Sequence, residues 1–238
     1  MKNLKLNLAV VMMAALSLGS CKKVILDAGD LTIENREIND DFTEIQLKGS
    51  IDLYINDDSD ELRVEAGENV ISHIETFVQN GVLHIEEESN NFLTTKPRRV
   101  YVNINWLDKL KTDGSGDVDI VNLNSGEFNL DTKGSGDVEI SFDSVSTVDV
   151  DLDGSGDVKV TGQCNSIVLG VNGSGDINSK QMNAESAVVN VNGSGDVDVT
   201  ATESLIININ GSGDVTYWGN PSNTEFNTNG SGDISGIN

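Results

Sequence analysis

The chain has little of what enzymes, disulfide scaffolds and proline-rich stalks depend on. Its 238 residues include two cysteines, two histidines and two prolines, and only 5% are aromatic. Two cysteines cannot build a disulfide framework, and two prolines argue against a proline-rich stalk. Basic residues are scarce as well, because 15 Lys and Arg stand against 39 Asp and Glu and leave a net charge of −24. Such a surface repels nucleic acid, which excludes polyanion binding, whereas it keeps a long β-surface soluble and attracts cations or basic partners.

The basic residue types that carry acid–base catalysis are almost absent from the second half of the chain, and its abundant carboxylates are regularly spaced without a singular cluster. Gly114–Asn238 contains no arginine and no histidine, and its lysines are Lys133, Lys159 and Lys180. Polysaccharide lyases need Lys, Arg or a paired acid, often beside a metal ion. His73 and His84 lie in the N-terminal part and are more typical of surface or packing positions. We therefore predict no enzyme, no catalytic residue, no metal site and no cofactor, with a polysaccharide-acting enzyme as the least favoured alternative.

The N-terminus has the pattern of an export signal. Lys2 and Lys5 precede an apolar run, Leu6–Leu18, which is too short for a stable membrane span. The run ends in Leu18-Gly19-Ser20-Cys21, the arrangement of small residues before a cysteine that becomes acylated in bacterial lipoproteins. Lipid on Cys21 would anchor the protein to a membrane. The sequence therefore predicts a lipoprotein of the cell envelope and outer membrane, with the cell surface and the periplasmic face both open.

A tetrapeptide repeat dominates the rest of the chain. Gly-Ser-Gly-Asp occurs at steps of 18 to 20 residues and starts at Gly114, Gly134, Gly154, Gly173, Gly193, Gly211 and Gly230. A fixed period near 20 is typical of stacked units that cannot bury a core alone. Apolar residues alternate before each motif, as in Val148, Val150 and Leu152, and again after it, as in Val138 and Ile140. This alternation predicts two short strands per unit, joined by the motif turn and by a variable turn that absorbs the changes in spacing.

These units predict an all-β fold, a single-stranded parallel β-helix (β-solenoid) with about 20 residues per coil. An antiparallel meander is disfavoured, because identical turns would then alternate between its two ends. Stacking would align the motif aspartates in one column: Asp117, Asp137, Asp157, Asp176, Asp196, Asp214 and Asp233. The asparagines that precede four of the motifs would form another, namely Asn172, Asn192, Asn210 and Asn229.

An aspartate column repels itself unless turn amides, water or a cation bind each carboxylate. Calcium-binding β-rolls also contain Gly-x-Gly-Asp turns, but their nine-residue period supplies several oxygen ligands per ion. One aspartate per coil of 20 residues supplies too few. We therefore favour turn caps over Ca²⁺ sites, although Ca²⁺ stays an alternative.

The region before the repeats is β-rich but irregular. Leu47–Ile55 contains Gly49-Ser50-Ile51-Asp52, which looks like a degenerate motif turn, and Val100–Ile104 predicts a further strand. Phe77–Ile85 contains Asn-Gly between apolar runs, which predicts a type I′ hairpin, and Asn69–Phe77 has room for one helical turn. The predicted divisions are a signal peptide (1–20), a lipidated tether (21–27), irregular N-terminal coils and cap (28–112) and the regular solenoid (113–238).

The lipobox, the Gly-Ser-Gly-Asp array and the final Gly236-Ile237-Asn238 together resemble the head-GIN-domain family of auto-transporter adhesins from Bacteroidetes-type bacteria. Phe42–Ile85 is similar to the N-terminal half of that family. The resemblance implies a right-handed parallel β-helix, akin to pectin-lyase-like proteins, and a role in cell adhesion. It brings no catalytic residues.

Adhesion or ligand binding is accordingly the leading functional hypothesis, with a glycan or protein as ligand. A periplasmic structural or regulatory scaffold is the alternative. Trp106, Tyr217 and Trp218 are candidate ligand platforms, although core or end packing is the commoner role of such residues. An open final coil, Gly230–Asn238, predicts self-association through the solenoid ends.

Overall fold

The computed structural model describes residues 27–56, 62–88 and 95–237 and confirms the β-solenoid. Those residues contain no α-helix and one short 3₁₀ helix, Ile71–His73, within the predicted helical turn. The first strands are β1 (Leu31–Arg36), β2 (Glu44–Gly49), β3 (Asp52–Ile55), β4 (Leu62–Gly67), β5 (Ile74–Gln79), β6 (Val82–Glu87), β7 (Arg99–Val102) and β8 (Lys109–Gly114). The remainder are β9 (Val118–Gly134), β10 (Val138–Gly154), β11 (Val158–Val171), β12 (Ile177–Val191), β13 (Val197–Ile209), β14 (Val215–Trp218), β15 (Asn223–Thr228) and β16 (Ile234–Ile237).

Each regular coil has two arms. The first arm follows a Gly-Ser-Gly-Asp motif, and the second arm precedes the next one. From β9 to β13, each arm pairs in parallel with the same arm of the neighbouring coils. The final coil continues the first arm as β14 and β16 and the second arm as β15.

The variable turn differs from the prediction. Strands β9 and β10 run for 17 residues each, without a loop between the two arms. The arms meet instead at shifts of register, for example between Ser141 and Thr147 and between Lys159 and Gly162. Gly162 has a φ of 138°, and Asn122, at the corresponding bend of β9, has a φ of 57°. Bulges therefore absorb the unequal repeat lengths, because an extra residue can bend a strand without ending its pairing.

The N-terminal coils do not stack in chain order. The coil made of β2 and β3 lies between the one made of β6 and β7 and the one that begins with β8. The degenerate motif at Gly49 thus becomes the first member of the regular stack. Beyond β7 and β6 the coil is replaced by antiparallel strands, since β4 pairs with β7, β1 with β4, and β5 with β6.

The predicted Asn-Gly hairpin is confirmed between β5 and β6. Asn80 and Gly81 have φ values of 54° and 78°, as a type I′ turn requires at both central positions. Arg36, at the end of β1, closes this end of the core. Its guanidinium donates to the carbonyl oxygen of Ile74 at 2.6 Å and to that of Ile71 at 3.2 Å, and it joins β1 to the start of β5.

The core is a set of apolar columns that run along the stack. One column of the first arm is buried from the N-terminal cap to the penultimate coil and comprises Val64, Val100, Leu53, Val118, Val138, Val158, Ile177, Val197 and Val215. A polar pair interrupts the apolar interior of the second arm, where the hydroxyls of Thr112 and Thr132 lie 2.7 Å apart. Because such columns are continuous, every coil buries its inward side chains against the next.

Candidate binding surfaces of the solenoid

The Gly-Ser-Gly-Asp corner brings successive coils into direct backbone contact. A Cβ on either glycine of any of the seven motifs would lie 1.9–2.1 Å from a carbonyl oxygen of the preceding coil. Among these glycines only Gly114, Gly134 and Gly230 have a φ between 116° and 153°, a range that residues with a side chain rarely adopt. The motif therefore requires glycine mainly because no side chain fits between the coils.

The motif aspartates form a column that starts with Asp52 and continues through the seven predicted members. One carboxylate oxygen of each member before Asp233 accepts a hydrogen bond from the backbone N–H of the next aspartate, at 2.7–3.2 Å. The prediction placed the carboxylate on amides of its own turn. The observed partner lies one coil away, so each aspartate ties two coils together and its charge is stabilised by that amide.

A groove of about 620 Å³ follows this column along the outward side of the first arm. Its walls are acidic, and Lys159 binds Glu139 with 2.6 Å between Nζ and Oε1. The pKa of Asp198 is raised by burial and by the carboxylates of Asp196 and Asp176, against the opposing effect of Lys180. The groove therefore has a strongly negative potential and suits a cationic or hydroxyl-rich ligand better than an anion.

Amide side chains cover the outward side of the second arm. The predicted column is present, with Asn192 donating to Asn172 at 3.1 Å and Asn229 to Asn210 at 2.9 Å. A second, unpredicted column runs beside it through Asn190, Asn208 and Asn227, with bonds of 3.0 and 3.1 Å. The two columns, which we call the amide surface, border a groove of about 630 Å³. They present donors and acceptors repeated at the coil spacing of about 4.8 Å.

The predicted aromatic platforms are not brought together. Trp106 is 48% exposed, forms a bridge to Asn124 beside β9, and donates its indole N–H to Asp108 at 2.8 Å. Tyr217 and Trp218 lie on β14, with β10–β13 between them and Trp106. Tyr217 is partly buried against the core, and the ammonium of Lys180 covers the ring of Trp218 at 4.2 Å.

An aromatic stack at the N-terminal end was not predicted. The rings of Tyr54 and Tyr101 are stacked with centroids 5.1 Å apart, and the Arg63 guanidinium lies 3.9 Å from the centroid of Tyr101. The Tyr101 hydroxyl donates to Glu65 at 3.0 Å, which fixes the stack. Tyr54 and Tyr101 each follow an apolar residue in a short strand, but only the out-of-order position of β3 makes them neighbours.

One cysteine and two histidines lie in the described residues outside these surfaces. In residues 27–56, 62–88 and 95–237, no group of three or more His, Cys, Asp or Glu side chains could hold a metal ion. Cys164 is buried, and burial together with the nearby Glu185 carboxylate raises the pKa of its thiol to about 11. His73 and His84 lie beside Glu88 and Glu86, and the Phe77 ring stacks on that of His84.

Cys21, the predicted lipidation site, lies outside the described residues. Within the part of the chain that the structure describes, no helix is long and apolar enough to cross a membrane.

The fold and its corner motif define a class, the parallel β-solenoid with one Gly-Ser-Gly-Asp turn per coil. Residues 41–221 match the family described as "Putative auto-transporter adhesin, head GIN domain". The chain belongs to this family, and the resemblance noted from its motifs is confirmed. No curated protein is significantly similar to it.

Several solved structures share this fold over most of the chain. A putative adhesin from Bacteroides fragilis is 24% identical, with a TM-score of 0.79, over 87% of this chain and 97% of its own. A protein described as a putative lipid binding protein from Parabacteroides distasonis is 25% identical, with a TM-score of 0.70, over 91% and 100%. A putative adhesin from Parabacteroides merdae is 21% identical, with a TM-score of 0.71, over 91% and 100%.

Proposed function

We propose that this protein is a non-catalytic adhesion module, anchored to the outer membrane by lipid on Cys21 and carrying its ligand sites on the outward sides of the solenoid. Membership of an adhesin family over residues 41–221 carries the proposal. The stiff stack supports it, because eleven strands in the longest row of the sheet extend it by roughly 48 Å at about 4.8 Å per step. A rod of this kind holds a binding surface away from the membrane.

The amide surface is the ligand site that we favour. Asn190, Asn208 and Asn227 belong to different coils and expose the same groups in the same orientation, so a repeating partner such as a glycan can form the same contacts at each step. Tyr217 is partly buried and Lys180 covers the ring of Trp218, so both offer less contact area for a ligand. The acidic groove is a poorer site for acidic glycans, because like charges repel.

External proteolysis of intact cells tests the proposed location. If this protein contacts another cell or a matrix directly, it must be exposed on the cell surface, and an external protease should then degrade it in intact cells. A chain carrying Cys21→Ser should lose labelled fatty acid and leave the membrane fraction, whereas Cys164→Ser should behave as the natural chain. Protection until the outer membrane is opened would overturn direct adhesion and favour a periplasmic scaffold.

Self-association through an end of the solenoid would add a second mode of adhesion. The same protein would then serve as both receptor and ligand. The two ends of the stack are built differently and offer different contacts.

A further inference from the structure

The C-terminal end of the stack has two open strand edges. β15 pairs with β13, β16 pairs with β14, and within the described residues no strand covers the outer edge of either. At the other end, Arg36 bridges the final strands and donates to carbonyl groups there. Among the described strands, the N-terminal end also has two that pair on one side only, β1 and β5, and the two ends differ because Arg36 joins those strands to each other.

The last coil ends with a carboxylate and an apolar side chain whose counterparts in earlier coils contact a following coil. Each earlier motif aspartate accepts an N–H from the following coil, and no described coil follows Asp233 to supply one. Phe226 continues the buried column of Ile207 but is 40% exposed, and Ile237 on β16 is 48% exposed. One more layer of strands would bury the ring of Phe226, which continues an inward column.

The edge also lacks the features that usually prevent strand pairing. Neither β15 nor β16 contains lysine or proline, the residues with which exposed edges are commonly protected. Across 215–237 the only charged residues are Glu225 and Asp233, whereas the whole chain has a net charge of −24. Two copies that approach each other through this end therefore bring few like charges together.

The sequence of β15, Asn-Thr-Glu-Phe-Asn-Thr, is complementary to itself in one antiparallel register. With Phe226 opposite Phe226 of a second copy, Thr224 faces Thr228, and Glu225 faces Asn227. Inward residues stay inward, and no like charges are opposed. Shifting the register by two residues in one direction would place Glu225 opposite Glu225, and in the other it would separate the phenylalanines.

We propose that two copies of this chain bind tail to tail through antiparallel pairing of their β15 edges, with Phe226 at the centre of the contact. The pairing itself does not depend on the proposed function, and only its place between two membranes rests on the proposal that the protein is a lipid-anchored adhesin. Five residues lie between Cys21 and Asp27, and the six steps along the chain span at most about 22 Å, so lipid on Cys21 would hold the N-terminal end near its own membrane. The C-terminal ends would then meet between two facing membranes, and the occupant of this edge would be the same protein on a second surface.

Sedimentation velocity of the full chain carrying Cys21→Ser measures the pairing without a membrane. We expect an elongated dimer in a concentration-dependent equilibrium. Phe226→Lys should make the chain monomeric, because it places two like charges at the centre of the contact. Phe77→Lys, on edge strand β5 at the opposite end, is the matched control and should leave the dimer unchanged.

The register has its own test. Asn227→Glu should weaken the dimer by about tenfold or more, because it faces Glu225 of the partner copy in two symmetric pairs. Adding Glu225→Lys to that variant should restore it, and circular dichroism should show each variant folded. A natural chain that stays monomeric at the highest concentration, or a dimer lost through Phe77→Lys and kept in Phe226→Lys, would overturn the proposal. Failure here leaves the cell-surface experiment unaffected, because proteolysis measures location and not self-association.

Discussion

Replacing Gly156 by alanine should destabilise the solenoid far more than an ordinary surface substitution. Gly156 is the second glycine of its motif, and a Cβ there would lie 2.1 Å from the carbonyl oxygen of Gly136 in the preceding coil. Real Cβ atoms essentially never approach closer than 3.0 Å, so the coils must separate locally by nearly 1 Å. Because the obstacle is backbone, no side chain can rotate away to relieve the contact.

The cost follows from the bonds that this separation strains. The backbone N–H of Ser155 donates to the carbonyl of Gly134 at 2.9 Å, and that of Asp157 donates to the Asp137 carboxylate at 2.8 Å. Losing both bonds and compressing the corner should lower the free energy of unfolding by about 2–4 kcal/mol. For a chain of this size, each kcal/mol corresponds to roughly 2–4 °C in Tm.

Thermal and urea unfolding, followed by circular dichroism, measures this loss. Gly126→Ala is the matched control, because a Cβ at Gly126 meets nothing within 4 Å. It should be neutral or stabilising by up to about 1 kcal/mol, since alanine restricts the unfolded chain. Equal stabilities of the two variants would refute the claim that contact between coils, and not turn conformation, fixes glycine in the motif.

Three further outcomes follow from single contacts. Asp157→Ala should cost about 1 kcal/mol, because the N–H of Asp176 loses its acceptor, whereas Asp157→Asn keeps an acceptor and should cost less; urea unfolding of both separates charge from bonding. Cys164 should resist alkylation in the folded chain, and because its pKa is raised by burial from 9.0 to about 11, its contribution to stability should be complete below pH 9 and be lost as the pH rises through 11. Thr132→Val should destabilise by about 1–3 kcal/mol by leaving the buried Thr112 hydroxyl without its partner, and Thr112→Val in the same chain should recover part of the loss; a double variant no more stable than the single one would contradict this.

The repeat made the regular coils predictable. The period near 20 and the alternation around each motif were enough to predict the parallel stack, since every unit has the same partners on both sides. The Asn80-Gly81 hairpin was equally readable, because the turn chemistry is local. The aspartate column followed from the stacking, but its bonds did not, because a carboxylate can reach an amide of its own turn or of the next coil with similar ease.

What sequence could not supply is the pairing of strands that do not repeat. Nothing local to Asp52–Ile55 shows that β3 enters between β7 and β9, whose residues lie more than 40 positions further along the chain. The stack of Tyr54 on Tyr101 depends on that insertion and was missed with it. Residue type alone indicated Trp106, Tyr217 and Trp218 as ligand platforms, and residue type does not show how far each ring is buried or which side chain covers it.

Because every Gly-Ser-Gly-Asp corner is alike, the length of the molecule is set by its number of coils. Removing residues 138–157 would join Asp137 directly to Val158, and the new junction would again read Gly-Ser-Gly-Asp-Val. Inserting a block of 20 residues of this kind would also preserve the junction sequence, because every coil ends in the same Gly-Ser-Gly-Asp corner on which the next coil stacks. The reach of the protein can therefore change in steps of one coil, about 4.8 Å, while both ends stay as they are. Proteins that differ only in their number of coils would therefore differ in length and keep the same two ends.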